Sequence, residues 1–204
     1  FTDTVLNDWQ KCLSRLAFDK SMSNIFSFKL FELENCIKSI HFYGNFEKNI
    51  LLNYDDIQKW TIMSCLTNLK ISEFLIVTLE KEISFFKKMP NLKEIDLSFN
   101  KISTIESSVF KNMLHLNCLI LKNNNIKQLN RNIFIGLVNL SNLDLSWNFL
   151  NSLESDLFFD LNNLKILNLS YNQISFIDNN AFNGLTNLND LNLKKNKLNL
   201  YFND

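Results

Sequence analysis

The sequence predicts an α/β solenoid: a horseshoe of stacked coils with a parallel β-sheet on its concave side, an irregular convex side and an N-terminal cap. Three observations carry that prediction. Five phrases follow one template: LKEIDLSFNKI from Leu92, LNCLILKNNNI from Leu116, LSNLDLSWNFL from Leu140, LKILNLSYNQI from Leu164 and LNDLNLKKNKL from Leu188. Successive starts are 24 residues apart, and a fixed period of this size marks a repeat array. Within each phrase apolar residues alternate and an asparagine then stands at a fixed place, as at Leu143, Leu145 and Asn148.

Residues two apart lie on one face of a strand. Leu143 and Leu145 therefore point inward, while Asn142, Asp144 and Ser146 point outward. Asn148 ends the strand, and its amide carries both donors and an acceptor for turn backbone that would otherwise be buried unpaired. Asn100, Asn124, Asn148, Asn172 and Asn196 are expected to stack as a ladder. Ile102, Ile126, Leu150 and Ile174 form a column after it, and Ile105, Leu129, Leu153 and Ile177 the next. Phe110, Phe134, Phe158 and Phe182 form a spine near the convex side, with Met113, Leu137, Leu161 and Leu185 closing each coil. No coil can bury its own apolar face, so stacked neighbours share one core. Gly136 and Gly184 read as turn glycines.

This template, LxxLxLxxNx(I/L) with a phenylalanine in each 24-residue period, resembles the typical subfamily of leucine-rich repeats, including Toll-type receptor ectodomains. The resemblance is strong over residues 92–199 and weak over 37–91. It implies an extracellular, non-enzymatic recognition module that needs no cofactor.

Residues 1–36 lack the template and read as the cap. Leu6, Trp9, Leu13, Leu16 and Ala17 recur at helical spacing, with Asp3 or Thr4 as cap, and Phe26, Phe28 and Leu30 alternate as in a half-buried strand. A solenoid needs its first sheet edge covered. The array then runs over residues 37–204, with starts near 37, 66, 92, 116, 140, 164 and 188. The repeats from Ile37 and Leu66 are irregular in length, as terminal repeats tend to be, and Phe74 stands where asparagine belongs. After Leu188 the pattern runs out at Asp204 without a cysteine-bearing cap. Either the array continues, or the edge carrying Leu198, Leu200 and Phe202 meets a partner.

Composition narrows the partners. The 204 residues are 46% hydrophobic, and Lys plus Arg equals Asp plus Glu at 21 each. No basic run predicts a nucleic-acid partner. No apolar run approaches the roughly 18 residues of a membrane span. Phe1 reads as a processed or trimmed end.

Four cysteines allow three full pairings. A Cys12–Cys36 disulfide would tie the cap to the first repeat. Cys36–Cys65 is the rival, since both precede a repeat start one coil apart and neighbouring coils lie near disulfide spacing. Cys118 falls on a concave strand and is expected to be free. No CxxC or His/Cys cluster predicts a metal. Asn139-Leu-Ser and Asn168-Leu-Ser match the glycan acceptor motif, and a glycan on Asn168 would cover part of the concave sheet.

On that sheet one patch combines Phe99, Trp147 and Tyr171 in a column with Glu94, Asp96, Lys122 and Asp144 beside them. Exposed aromatics are common binding anchors, and the carboxylates predict a basic partner. The expected ligand is a protein or receptor ectodomain met outside the cell. The alternative is an intracellular scaffold. Glu94, Asp96 and Asp144 do not read as a glycosidase pair, because an open curved sheet offers no dry cleft to shift a carboxyl. His41 and His115 are isolated.

Overall fold

The computed structural model describes residues 16–18, 39–43, 66–72, 76–79, 86 and 89–198. The expectations placed on Cys12, Cys36 and Cys65, on most of the cap, on Phe74 and on residues 199–204 lie outside the described residues.

An eight-stranded parallel sheet lines the concave side. Its order is β1 (Leu16–Phe18), β2 (Ser39–Tyr43), β3 (Asn68–Ser72), β5 (Glu94–Asp96), β7 (Cys118–Ile120), β8 (Asn142–Asp144), β10 (Ile166–Asn168) and β12 (Asp190–Asn192). The register follows the period without slippage: Glu94 pairs with Cys118, Cys118 with Asn142, Asn142 with Ile166 and Ile166 with Asp190. A slip of one residue would turn the leucines out to water, so the alternation pins the register. Leu16 and Ala17, expected at the end of a helix, instead sit in β1, paired with Ile40 and His41. Pairing there satisfies the backbone groups that β2 would otherwise leave unpaired at the sheet edge.

The core runs through the coil stack. Ile95, Leu119, Leu143 and Leu167 are fully buried, as are Leu97, Leu121, Leu145 and Leu169. The phenylalanine spine starts one coil earlier than expected: Phe86 packs on Phe110 at 5.6 Å between ring centroids. Phe134, Phe158 and Phe182 continue it at 5.9 and 6.3 Å.

The asparagine ladder forms as expected. Asn148 donates Nδ2 to Leu145 O in its own coil at 3.1 Å and to Leu121 O in the coil before at 3.0 Å. Its Oδ1 accepts from Ile126 N at 3.1 Å. The same triangle recurs at Asn124 and Asn172. Among the described residues no buried side-chain polar atom lacks a partner, as close packing of polar groups requires.

The remainder of each coil is irregular, with turns, a 3-10 turn at Arg131–Ile133 and short parallel pairs. β4 (Thr78–Leu79) pairs with β6 (Thr104–Ile105), and β9 (Ser152–Leu153) with β11 (Phe176–Ile177). Between these pairs the descending ladder breaks. Ser103 N donates to Val77 O and Ser175 N to Asn151 O, but the equivalent Lys127 and Asn151 amides make no backbone hydrogen bond. Lys127, Gln128 and Asn130 occupy positions held by Ser103, Thr104 and Glu106 one coil earlier. Lysine, glutamine and asparagine are weak strand formers, and Asn130 Oδ1 caps the 3-10 turn through Asn132 N at 2.8 Å. The chain leaves the ladder to enter that turn.

Candidate recognition surface

Four of the five concave strands from β5 to β12 end in the same two-step turn; β7 ends in Ile120, which has no side-chain acceptor. Asp96 Oδ1 accepts from Ser98 N at 2.9 Å, Asp144 Oδ1 from Ser146 N at 2.8 Å and Asn168 Oδ1 from Ser170 N at 3.1 Å. Asn192 does likewise toward Lys194 N. A short side-chain carbonyl or carboxylate that bonds backbone two residues on is a stable local turn. The next residue then enters the left-handed region: φ is 57° at Phe99, 56° at Asn123, 56° at Trp147, 55° at Tyr171 and 58° at Lys195. A bulky residue there carries a conformational cost. Because all five coils from Phe99 to Lys195 repeat it, it belongs to the coil turn and is offset by bonds such as Trp147 N to Ser170 O at 3.0 Å.

That turn leaves the side chain at the rim of the sheet. Phe99 is 48% exposed, Trp147 49% and Tyr171 42%, which is high for rings of this size. Trp147 and Tyr171 stack at 4.1 Å between centroids with planes 8° apart. Phe99 is two coils from Trp147, with Asn123 between. Of the expected aromatic column, the structure thus pairs two rings and leaves the third apart.

The acidic half of the expected patch is largely occupied internally. Asp96 is buried, accepts from Ser98 and pairs with Lys70 Nζ at 2.6 Å. Burial alone would raise its carboxyl pKa, but the bonds from Lys70 and Ser98 outweigh it and hold the group below the usual value. Glu94 Oε2 accepts from Asn68 Nδ2 at 2.7 Å. Asp144 spends one oxygen on its turn. Lys122, half-buried between the two acidic coils, makes no side-chain hydrogen bond among the described residues.

Cys118 is a free thiol beside Glu94 on β7, and its pKa is pushed up to about 11 by burial and then by Glu94, Asp96 and Asp144. It is therefore a poor nucleophile and metal ligand. No group of three or more His, Cys, Asp or Glu is placed to hold a metal among the described residues. No described helix is long and apolar enough to cross a membrane.

Both acceptor asparagines have structural partners. Asn139 is exposed at the coil edge and donates Nδ2 to Leu114 O at 2.7 Å. Asn163 to Val138 O and Asn187 to Asn162 O repeat the contact one coil apart. This second ladder was readable in the sequence as an asparagine preceding four of the five phrase starts, those at 92, 140, 164 and 188. Asn168 lies half-buried on the concave sheet, its Oδ1 engaged by Ser170.

A groove of about 480 Å³ runs beside the aromatic pair, between the rim column and the first residues of the descending side. Trp147, Tyr171 and Phe149 form its centre, Lys101 and Lys195 stand at its ends, and asparagines lie between. The signal for it was a second column, Lys101, Asn125, Phe149, Gln173 and Lys197, at the same 24-residue step.

The leucine rich repeat family model matches residues 90–150 and 139–198, together more than half of the chain. The chain is a leucine-rich repeat protein. No curated protein matches this repeat protein. Among solved structures it is similar to the TLR13-ssRNA13 complex, with 20% identity, a TM-score of 0.49 and coverage of 95% of this chain and 34% of that one. The repeat protein thus spans about a third of that chain. At 20% identity the likeness concerns coil stacking alone. The solved complex contains single-stranded RNA, so the expectation of a protein partner to the exclusion of nucleic acid gains nothing from it.

Proposed function

We infer that this repeat protein is a rigid protein-recognition module acting outside the cell, in the manner of Toll-type ectodomains. It works within a receptor, or as a secreted effector or decoy, in innate immunity or signalling. Residues 1–36 serve as its cap and the array from residue 37 presents the surface. Glu94, Asp96 and Lys122 shape the floor of the concave face, and Phe99, Trp147 and Tyr171 line its rim.

The observation that carries this reading is the Trp147–Tyr171 stack. Two large rings are held half-exposed by a backbone turn on a surface that cannot collapse around them. Rings fixed before binding lose little freedom on binding, which is how a pre-formed surface gains affinity. Hot spots are enriched in such residues.

The test has two parts. Intact mass of the natively secreted protein, before and after reduction and deglycosylation, should show a gain of two protons per disulfide and a loss of glycan from Asn139 or Asn168. A screen of secreted proteins and receptor ectodomains should then yield a partner whose affinity falls by about 2 kcal/mol or more on Trp147→Ala. Unchanged affinity in a folded variant moves the site off the rim. Four reduced thiols without glycan point to the intracellular scaffold instead.

A further inference from the structure

We propose that the rim groove holds an extended acidic–aromatic segment of a partner protein, with carboxylates toward both ends and an aromatic side chain one coil from the Lys101 end. This rests on the recognition reading above and names the chemistry of what is recognised. It also reverses the charge expected from the sequence, where Glu94, Asp96 and Asp144 predicted a basic partner.

Charge is the first argument. No carboxylate lines the groove, whereas Lys101 and Lys195 do. Lys197 continues the row of Lys101 at the far end, its Nζ 3.1 Å from Gln173 Oε1. Asp96 is engaged by Lys70 and Asp144 by its own turn. The chain is neutral as a whole, yet the groove faces a ligand with lysines at both ends and none of the opposing acids. Complementary charge steers and orients such a partner.

Ring chemistry is the second. Tyr171 covers one face of Trp147. The other face looks toward Asn123, whose short side chain leaves a gap between Phe99 and Trp147. Two coil steps of about 4.8 Å give a gap of about 10 Å, enough for one ring stacked at about 5 Å from each wall. The side-chain amides of Asn123 and Asn125 make no hydrogen bond among the described residues, so they are available to an extended backbone.

Length is the third. Lys101 and Lys197 are four coils apart, about 19 Å, and an extended chain covers that in about six residues. The Asn123 gap lies one coil from Lys101 and three from Lys197, so the segment carries its carboxylates about six residues apart with the aromatic nearer the one that meets Lys101. A nucleic acid would stack on the same rings, but its phosphates favour a cation at every step along the groove. Here amides occupy the middle.

Fluorescence anisotropy of the full chain with labelled eight-residue peptides tests this. The peptides carry Glu-Glu, Lys-Lys or Ser-Ser at both ends and Phe-Tyr directly beside either the first or the last of these pairs, and are run beside an eight-nucleotide oligouridylate. The Glu-ended peptide should bind about tenfold tighter than the Ser-ended one and lose about tenfold in a Lys101→Glu, Lys197→Glu double variant, whose surface changes leave the core untouched. Replacing Phe-Tyr by Ala-Ala should abolish binding. Tighter binding of the Lys-ended peptide, equal binding of all three, or no binding of any overturns the proposal. Binding of oligouridylate without the Glu-ended peptide overturns it in favour of nucleic acid. None of these results touches the Trp147→Ala test on a captured partner, so the recognition reading stands or fails separately.

Discussion

The indole of Trp147 lies face to face with the phenol ring of Tyr171 from the next coil, 4.1 Å between centroids and 8° from parallel. Both rings are attached to residues in the left-handed region, so their direction is set by the turn and not by a core around them. Such a pair contributes about 0.5–1.5 kcal/mol beyond buried area. Trp147→Ala and Tyr171→Ala should each lower unfolding stability by about 1 kcal/mol, and the double variant should cost less than their sum. Urea denaturation checks this. Additive losses would show that the stack contributes nothing.

Asp96 makes stability depend on pH in a defined direction. Its folded pKa lies below the ordinary 3.8, so the unfolded chain takes up a proton first as pH falls. The stabilisation is fully present above the unfolded value and is lost as pH drops through the folded one. Asp96→Asn should therefore be less stable than wild type by a constant amount above about pH 5, with the gap closing below pH 4. Urea midpoints from pH 2.5 to 6 measure it, and a gap that widens toward low pH contradicts the assignment.

Among the described residues the two positive-φ glycines should respond differently to alanine. A Cβ on Gly184 would sit 2.1 Å from Phe159 O, whereas one on Gly136 would meet nothing nearer than Asn112 N at 3.8 Å. Gly136→Ala then costs only the left-handed backbone penalty, about 1 kcal/mol. Gly184→Ala must also displace backbone of the preceding coil and should cost clearly more. Equal thermal shifts would contradict this close approach.

The broken descending ladder predicts a local pattern of hydrogen exchange. Lys127, Asn130 and Glu154 amides have no backbone partner, while Ser103, Ser175 and Asp178 amides do. Unpaired amides exchange without any opening step, so the first group should exchange faster by at least roughly tenfold. Equal protection would mean that the ladder closes in solution.

What was legible in the sequence is what recurs. The period, the asparagine ladder and the core columns each repeat at one position per coil, and repetition turned weak single-residue signals into strong ones. The rim aromatics were visible for the same reason. The fate of Asp96 and Asp144 was not. Their identity suggested free charge, but the two-residue offset to Ser98 and Ser146 makes them turn acceptors, and Lys70 lies in an irregular coil whose register the template fixes only weakly. The helix expected through Leu16 and Ala17 failed because local spacing competes with an open sheet edge, and pairing with β2 satisfies more backbone. The ladder break at Lys127 follows from one coil's departure from the column identities, which averaging over coils conceals.

The most direct test of the recognition surface is site-specific photocrosslinking. A photoreactive phenylalanine replaces Phe149 at the rim groove or Phe159 on the convex side, both exposed at 44% and 55%. Each variant is mixed with secreted proteins from the native cell type, and adducts are identified by mass. The account predicts a discrete protein adduct from position 149, suppressed by Trp147→Ala, and none from position 159. An adduct from 159 alone, or one from 149 indifferent to Trp147, would contradict it.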